Sequence, residues 1–349
     1  MAHPVPTRID PIFSPRPWGA RSLAPIFPDK INLQEPLGEA WLTGHDCPVA
    51  TGPFAGKTLK DAWLAMPVEW RGLRFASCAE FPVLAKFIFP TDKLSVQVHP
   101  DDAYASLHEK AAGGRGKTEM WHIVSARPGA HLLLGTKPGL TREKFLADIE
   151  AQTVEEDLLS APVHRGDTFF IPAGTLHAIH AGVVICEIQE YSDLTYRVYD
   201  YGRVDSAGKP RALHIEKALA IARFGDGYSG KVAPLALHSP DGKKYLLAAC
   251  EYFATERWDC QKTTFIESDP QQFQLLVILD GAGTLHDTEA SYPFRAGECW
   301  FLPANLDTIL FQPAGPTALL RVIVPDPATL RDELKKQGFG PQAVSRVLV

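Results

Sequence analysis

The chain has 349 residues, of which 45% are hydrophobic and 22% charged, and its formal net charge at pH 7 is −6. This length and composition are typical of a globular protein with a sizeable core and room for two domains. The sequence contains no basic block, which argues against a nucleic-acid partner, and no apolar run as long as a membrane span. A local pocket for a small anion remains compatible with this charge balance.

The cysteines and the first 20 residues indicate in which cellular compartment the protein is located. Six cysteines lie at irregular positions without a Cys-x-x-Cys pair. In a chain this long, their dispersion favours reduced, mostly buried thiols over a disulfide framework. Residues 1–20 are rich in proline and lack an apolar core of signal-peptide length. We therefore expect a cytoplasmic protein without a membrane partner.

In chain order, residues 1–36 are rich in proline and are predicted to form an ordered but irregular lead-in. Many short segments follow that alternate or are continuously apolar, as strands do. These predicted strands are 38–42, 83–89, 94–99, 120–124, 131–135, 168–171, 183–189 and 196–199. Apolar residues at helical spacing predict helices over 56–64, 141–160 and 212–224, and residues 101–116 are helix-like and then glycine-rich.

The predicted strand over 94–99 carries the first functional signal. Alternation places Leu94, Val96 and Val98 on one face, with polar side chains on the other. That polar face, formed by Ser95, Gln97 and His99, suits the lining of a cavity better than an outer surface. One strand can therefore present both Gln97 and His99 to a single ion.

Two further segments add candidate ligands. Residues 166–177 read as Gly-Asp, a short strand, a Pro-Ala-Gly turn and then His177, whose ring falls at a strand mouth. Glu119 lies between the two stretches in a Lys-Thr-Glu-Met-Trp segment. We interpret Gln97, His99, Glu119 and His177 as ligands of one divalent metal. Imidazole and carboxylate ligands suit Zn, Mn, Fe, Ni or Cu, and the set leaves room for water or substrate, as in catalytic sites.

The later part of the chain repeats segments of the earlier part. Residues 297–305 mirror 166–174, and 273–283 echo 121–129. Short strands separated by Gly, Pro and Asp turns and repeated once predict two jelly-roll β-barrels. The second copy has Thr308 in place of His177 and no Gln-x-His strand, so we expect its barrel to be metal-free.

The predicted domain organisation is mainly β, with two jelly-roll barrels, a small helical insertion and a helical linker. A catalytic domain is predicted to be followed by the linker and a degenerate second domain, with helical insertions in the first. The boundaries are 1–210, 211–230 and 231–349, with insertions at about 101–116 and 141–160.

Several motifs together resemble a known family, type I mannose-6-phosphate isomerase of the cupin superfamily, in its short bacterial form. They are Leu-Ser-Val-Gln-Val-His-Pro-Asp-Asp at 94–102, Lys-Thr-Glu-Met-Trp at 117–121, the 166–177 segment, Glu-Ile-Gln-Glu-Tyr-Ser-Asp-Leu-Thr-Tyr-Arg-Val-Tyr-Asp-Tyr at 187–201, Pro-Ile-Phe at 11–13, Trp-Gly at 18–19 and Gly-Glu-Ala-Trp at 38–41. The resemblance covers about residues 8–220, and the remainder is similar only to a degenerate cupin barrel. The long helical insertion of eukaryotic-type members is absent, so phosphate contacts from that insertion cannot be carried over.

The resemblance implies one Zn²⁺ per chain, held by Gln97, His99, Glu119 and His177. It implies interconversion of mannose 6-phosphate and fructose 6-phosphate by proton transfer between C1 and C2 through an enediol. Arg197 would be the active-site arginine, and Ser95 and Lys117 would lie in the substrate pocket, with Lys117 also counted among the catalytic residues. Glu187 is the acidic candidate for proton transfer. The expected partner is a small phosphorylated hexose, and a monomer is favoured.

The residues alone leave several alternatives open. Glu187 could be paired with Arg197 or a neighbouring lysine instead of moving a proton. Arg197 could grip phosphate, stabilise an oxyanion, or form a structural pair with Asp193 or Asp200. At the level of the whole protein, the rivals are another metal-cupin enzyme, such as an iron dioxygenase, and a non-catalytic cupin that binds sugar phosphates.

Overall fold

The computed structural model describes residues 3–204 and 208–349, so that positions 1–2 and 205–207 of the predicted first domain lie outside the described residues. The strands are β1 Thr7–Ile9, β2 Ile12–Ala20, β3 Leu37–Trp41, β4 Val83–Ile88, β5 Val96–Val98, β6 Glu119–Ala126, β7 His131–Thr136, β8 Leu158–Pro162, β9 Thr168–Ile171, β10 His177–Ile179, β11 Val183–Glu190, β12 Tyr196–Tyr199, β13 Leu235–Leu237, β14 Gly242–Ala249, β15 Ala254–Cys260, β16 Thr264–Ile266, β17 Gln274–Asp280, β18 Ala282–His286, β19 Ser291–Arg295, β20 Cys299–Leu302, β21 Ile309–Pro313 and β22 Thr317–Ile323.

In the described residues the helices are fewer than the strands. They are α1 Leu59–Ala65, α2 Val68–Arg71, α3 Asp102–His108, α4 Arg142–Ala151, α5 Ile215–Ile221, α6 Pro327–Lys336 and α7 Pro341–Val344, with 3₁₀ turns at Leu73–Phe75, Lys110–Ala112 and Val154–Asp157. Across the described ranges, no helix is both long and apolar enough to cross a membrane.

The strands form four sheets, two in each half of the described chain. Sheet I has the order β2-β3-β4-β11-β6-β9, and sheet III repeats it as β13-β14-β15-β22-β17-β20 with β1 added beside β20. Sheet II, β12-β5-β10-β7-β8, has its counterpart in sheet IV, β16-β21-β18-β19, with β12 as the addition. Strand by strand, this order confirms the repeat seen in the sequence and the mainly β architecture with two jelly rolls.

The sheets pack in layers, each interface closed by apolar side chains. Cores formed around Trp121 and Phe169 fill part of the space between sheets I and II, and Trp300 and Phe311 belong to the core between III and IV. The largest cluster joins the outer faces of sheets I and III, where side chains such as Phe87 meet those of the second half. Helices α4 and α5 cover sheet II, and α6 and α7 pack on sheet III.

Three segments differ from their predicted structure. The lead-in over 1–36, expected to be irregular, contains β1 and β2. The helix expected over 141–160 begins as predicted, with the Thr141 hydroxyl accepting a hydrogen bond from the Lys144 amide, but it stops where Gln152 adopts a left-handed conformation (φ 61°). Residues 158–162 instead form β8 and pair with β7. The helix predicted over 212–224 is confined to Ile215–Ile221. Local spacing carries no information about β8, because its pairing partner lies more than 20 residues earlier in the chain.

The first strand complicates the division into domains. β1 lies antiparallel to β20, with Thr7 opposite Phe301 and Ile9 opposite Cys299. The N-terminal end of the chain therefore belongs to a sheet of the second half. The boundaries at residues 210 and 230 stay a prediction.

Candidate active site

Alternation along the strands of sheet I brings charged side chains into the space between sheets I and II. In β4, Ala85 and Phe87 belong to the core shared with sheet III, so Lys86 points to the opposite face. Lys86 lies directly opposite Glu187 of β11 in the strand register. Its Nζ is 3.1 Å from Glu187 Oε1 and 3.7 Å from Glu39 Oε1 of β3. The result is a row of buried charges across one sheet face.

The three predicted ionisable ligands converge at the end of this row. One ligand atom from each of His99, Glu119 and His177 lies within 4.8 Å of the other two, and all three residues are buried. Glu119 Oε1 is 3.8 Å from the Nε2 of His99 and 3.5 Å from the Nε2 of His177. A cation placed among them would meet two ring nitrogens and a carboxylate, which is a common donor set for divalent metals.

The hydrogen bonds of the two imidazoles suit metal binding. The Nδ1 of His99 lies 2.8 Å from the Leu194 carbonyl oxygen, and the Nδ1 of His177 lies 2.9 Å from that of Thr175. A carbonyl only accepts, so each Nδ1 carries the proton and each Nε2 presents its lone pair to the centre. Burial lowers the pKa of His177 to about 4, and the pKa of His99 is also lowered, mainly by burial. Both rings are therefore neutral near pH 7.

The carboxylate of Glu119 provides a direct test of whether a metal fits here. Its Oε1 is buried and has no hydrogen-bond partner in the described part of the chain. Burial, followed by the charge of Glu187, raises the pKa of Glu119 to about 8. A buried carboxylate oxygen without a partner is costly, and a cation among the three side chains would remove that cost. The residues present therefore fit a bound metal.

Gln97 lies beside these groups, but the nitrogen of its amide, not the oxygen, faces His177. In the register it is opposite His177, and its Nε2 is 3.2 Å from the ring Nε2 of His177. Its Oε1 accepts a hydrogen bond from the Ser95 hydroxyl at 3.3 Å. Donation to a metal requires Oε1, so Gln97 becomes a ligand only with the amide rotated by about half a turn, an assignment that depends on the surrounding hydrogen bonds.

The turn before His177 needs a glycine. Gly174 has φ +82°, and a Cβ built there would lie 2.9 Å from the Ile221 carbonyl oxygen. Both the conformation and the close approach to the end of α5 exclude a side chain. The Pro-Ala-Gly signal in the sequence thus marks the turn that places His177 at the start of β10.

Two lysines balance the carboxylates. Lys117 Nζ lies 2.6 Å from Glu119 Oε2 and 3.4 Å from Glu187 Oε1, and it donates to the Nε2 of His99 at 3.3 Å. Burial alone would raise the pKa of Glu187, but Lys86 and Lys117 outweigh it and hold the pKa at about 2. The pairing of Glu187 with a neighbouring lysine, left open by the sequence, is therefore present in the structure, and it involves two lysines.

A cavity of about 460 Å³ opens onto this cluster. It is lined by five of the predicted site residues, Ser95, Gln97, Lys117, Glu187 and Arg197. His99, Glu119 and His177 are buried behind Gln97 and Lys117. This volume lies within the range of small-molecule sites, about 300–1,000 Å³. All eight predicted site residues thus lie in or directly against one cavity.

Arg197 reaches the cavity from β12, the strand that has no counterpart in the second half. It is opposite Gln97 in the register, and its NH1 donates to the Ala212 carbonyl oxygen at 3.2 Å. Within residues 3–204 and 208–349, Arg197 forms no ion pair with Asp193 or Asp200, and its buried Nε has no hydrogen-bond partner. Its guanidinium group is therefore available to a ligand.

Sequence reasoning missed several residues of the lining, namely Arg16, Trp18, Glu39, Lys86, Asp193, Thr195 and Arg211. One of them did leave a signal, because Lys86 interrupts an otherwise apolar run over 83–89. A lysine in the middle of a buried strand needs a carboxylate partner. Glu39 and Arg16 gave no comparable signal, since they reach the cavity only through the pairing of β2, β3 and β4.

These features define a class first: a cupin-type protein with a candidate metal site inside one of its two jelly rolls. Comparison with known proteins shows which family within this class the chain belongs to. A family model for the catalytic domain of phosphomannose isomerase type I matches residues 8–120, and one for the cupin domain of mannose-6-phosphate isomerase matches residues 243–322.

Relatives and a solved structure agree with these matches. The chain is 36% identical to GmuF of Bacillus subtilis, described as a probable mannose-6-phosphate isomerase, over 87% of this chain and 95% of that protein. It is 33% identical to mannose-6-phosphate isomerase ManA of B. subtilis, over 86% and 94% of the two chains. A crystal structure of mannose 6-phosphate isomerase from B. subtilis superposes with a TM-score of 0.82 at 30% identity, covering 91% of this chain and 99% of that one. The chain therefore belongs to the type I mannose-6-phosphate isomerase family and is an isomerase.

Proposed function

We propose that this enzyme interconverts mannose 6-phosphate and fructose 6-phosphate by metal-assisted proton transfer between C1 and C2 through an enediol. The observation that carries the proposal is the convergence of His99, Glu119 and His177 behind a cavity that also presents Lys86, Lys117 and Arg197. An aldose–ketose isomerase needs a place for developing negative charge on the substrate oxygens, and this cavity offers several positive groups for it.

The metal would be held by His99, Glu119 and His177, with Gln97 as a fourth ligand after rotation of its amide. We propose Zn²⁺, one per chain, on the strength of the family resemblance, because nitrogen and oxygen donors alone suit several metals. When bound, the ion would supply Lewis-acid stabilisation of a substrate oxygen. The six cysteines are free and none takes part in this site.

The remaining cavity residues have distinct proposed roles. Lys117 and Arg197 would stabilise oxyanion charge at O1 and O2, since both present cationic donors to the cavity. Ser95 would donate to a sugar hydroxyl. Glu187 is the carboxylate in position to accept a proton, but a pKa of about 2 makes it a weak base at neutral pH. Its second proposed role is to keep Lys86 and Lys117 charged.

Replacement of Glu187 separates these two roles. If Glu187 is the acid/base, Glu187→Gln should lower kcat by about 10²- to 10⁴-fold, the usual contribution of such a group. If it only pairs the lysines, kcat should stay within about tenfold of wild type while stability falls. A matched control is Glu256→Gln, which removes the partner of Arg321 in the second half without touching the cavity.

The reaction itself is tested in deuterated water with mannose 6-phosphate as substrate. Proton transfer through an enediol should place solvent deuterium at C1 or C2, read by NMR after many turnovers. Chelation should abolish turnover, and added Zn²⁺ should restore it. Full activity in metal-stripped protein would contradict the metal, and absence of turnover despite substrate-induced stabilisation would favour a non-catalytic sugar-phosphate-binding cupin.

Two further expectations accompany this function. We propose a cytoplasmic location, supported by six thiols that are all free and mostly buried, as in proteins of reducing compartments. We also propose a monomer, which sedimentation of the purified protein would test.

A further inference from the structure

The active-site cavity continues outward past Arg197. A second void of about 320 Å³ adjoins it, and the two share a wall that includes Arg16 and Arg211. The outer void is also lined by Arg203 and by the exposed carboxylate of Glu35. Neither the metal ligands nor the proposed acid/base residues account for this gathering of guanidinium groups.

The position of Arg211 is fixed by a buried carboxylate. Asp200, only 6% exposed, accepts a hydrogen bond from the Nε of Arg211 at 2.7 Å and further bonds from the NH2 groups of Arg211 and Arg203. Arg203 also donates to the backbone oxygen of Asp200 and to that of Lys93. Asp200 thus serves two guanidinium groups, and Arg203 has a second, more distant carboxylate in Asp92 at 3.9 Å. At the shared wall itself, Arg211 has only a share of the Asp200 carboxylate as its counter-charge.

Arg16 and Arg197 add further positive charge. Arg16 lies 2.6 Å from Glu39 Oε2, but Glu39 is shared with Lys86. Arg197 forms no ion pair with any described residue, and its Nε is buried without a partner. Burial, and then the charge of Arg211, lowers the pKa of Arg197, as expected where cations crowd together.

Charge is balanced differently at the metal end of the cavity. There, the ammonium groups of Lys86 and Lys117 face the carboxylates of Glu119 and Glu187 at 2.6–3.4 Å. The divalent metal proposed for that end would add positive charge, but its role is to stabilise the oxygens at C1 and C2. A phosphate dianion gains paired donors where planar guanidinium groups lie together. That place is the outer wall, not the metal end.

We infer that Arg211 and Arg16 form the phosphate subsite of this enzyme, where they bind the phosphate on C6 while C1 and C2 lie at the metal end. The inference rests on the proposed function for the identity of the sugar. Strand register supports the spacing: His177, Gln97 and Arg197 lie side by side on three neighbouring strands, so Arg197 is about 10 Å from His177. The sugar carbons would span this row, with the phosphate beyond it.

The test compares Arg211→Gln with wild type in two assays. We expect KM for mannose 6-phosphate to rise about 10- to 100-fold, the value of one hydrogen bond to a charged group, with kcat nearly unchanged. The Kd of inorganic phosphate, measured by calorimetry, should rise by a similar factor. Unphosphorylated mannose, which lacks the phosphate, should show the same kcat/KM in both proteins.

Two variants keep the test decisive. Arg295→Gln removes an exposed arginine far from the cavity and should leave both constants unchanged, which controls for net charge. Arg211→Lys keeps a positive charge beside Asp200 but loses the guanidinium fork. It should therefore raise KM even if Arg211→Gln does not fold.

Unchanged KM and unchanged phosphate Kd in Arg211→Gln and Arg211→Lys would overturn the subsite. An equal loss with unphosphorylated mannose would also overturn it, because Arg211 would then act on the chemistry or the fold. If wild-type protein showed no isomerase turnover while phosphate affinity still fell in Arg211→Gln, the proposed function would fail and the anion site would stand.

Discussion

Lys86→Met probes the buried charges that connect the two sheets of the first half. The lysine is 3% exposed and its Nζ lies 3.1 Å from Glu187 Oε1, so removal of the ammonium leaves a buried carboxylate with one cationic partner instead of two. Burial would raise the pKa of Glu187, and Lys86 together with Lys117 lowers it to about 2, so the ammonium of Lys86 stabilises the ionised carboxylate in the folded protein. Breaking a buried pair typically costs about 3–5 kcal/mol. We therefore expect Lys86→Met to lower the free energy of unfolding by about 3 kcal/mol.

Urea unfolding followed by tryptophan fluorescence measures this loss. The matched control is Lys335→Met, whose ammonium lies 3.1 Å from Asp332 with a side chain that is 52% exposed, and which should cost no more than about 1 kcal/mol. Adding Glu187→Gln to Lys86→Met removes the uncompensated charge and should recover part of the stability. A loss for Lys86→Met as small as that of Lys335→Met, or no recovery in the double variant, would refute the argument.

The remaining predictions concern other positions. His99→Ala should lose the metal with little change in urea midpoint, and an unchanged metal stoichiometry would exclude His99 from the site. Gly135→Ala should lower stability by more than the about 1–3 kcal/mol of a strained conformation, because its φ is +74° and a Cβ would lie 1.8 Å from the Tyr228 carbonyl oxygen; Gly129→Ala, with φ +80° and no atom within 4 Å, should show the strain alone. Burial and neighbouring arginines lower the pKa of His122 from 6.5 to about 3, so the unfolded chain binds more protons below pH 6.5 and stability falls between pH 6.5 and 3. His122→Gln should remove about 2 kcal/mol of that loss at pH 5, and an unaltered pH dependence of the urea midpoint would contradict this.

Local signals in the sequence predicted the parts of the site that lie on one strand or in one turn. Gln97 and His99 share a face because a strand alternates, and the Pro-Ala-Gly turn places His177 through a glycine that no other residue can replace. The repeat of Gly-strand-Pro-Ala segments was equally readable, and it recurs as β9 and β20 in equivalent sheets. In each case the information lies within a few residues.

What the sequence did not reveal depends on which strands become neighbours. Glu39 enters the cavity because β3 pairs with β4, and Arg211 because the chain returns to Asp200 after β12. The low pKa of Glu187 is likewise a product of two lysines from different segments. The role expected for Glu187 as a base therefore meets a competing role that only the register of β4 and β11 brings to light.

The second half of the molecule explains how the first half tolerates its polar interior. Lys86, Glu187 and Glu119 occupy part of the inner face of sheet I and are buried there. Burying such charges costs free energy even when they are paired. Its outer face compensates, because it packs against sheet III in the largest apolar cluster of the described chain. In the second half, the matching interior is filled by side chains such as Trp258 and Phe311. One jelly roll thus keeps an apolar core that supports the fold, and the other, resting on it, has room for a charged cavity.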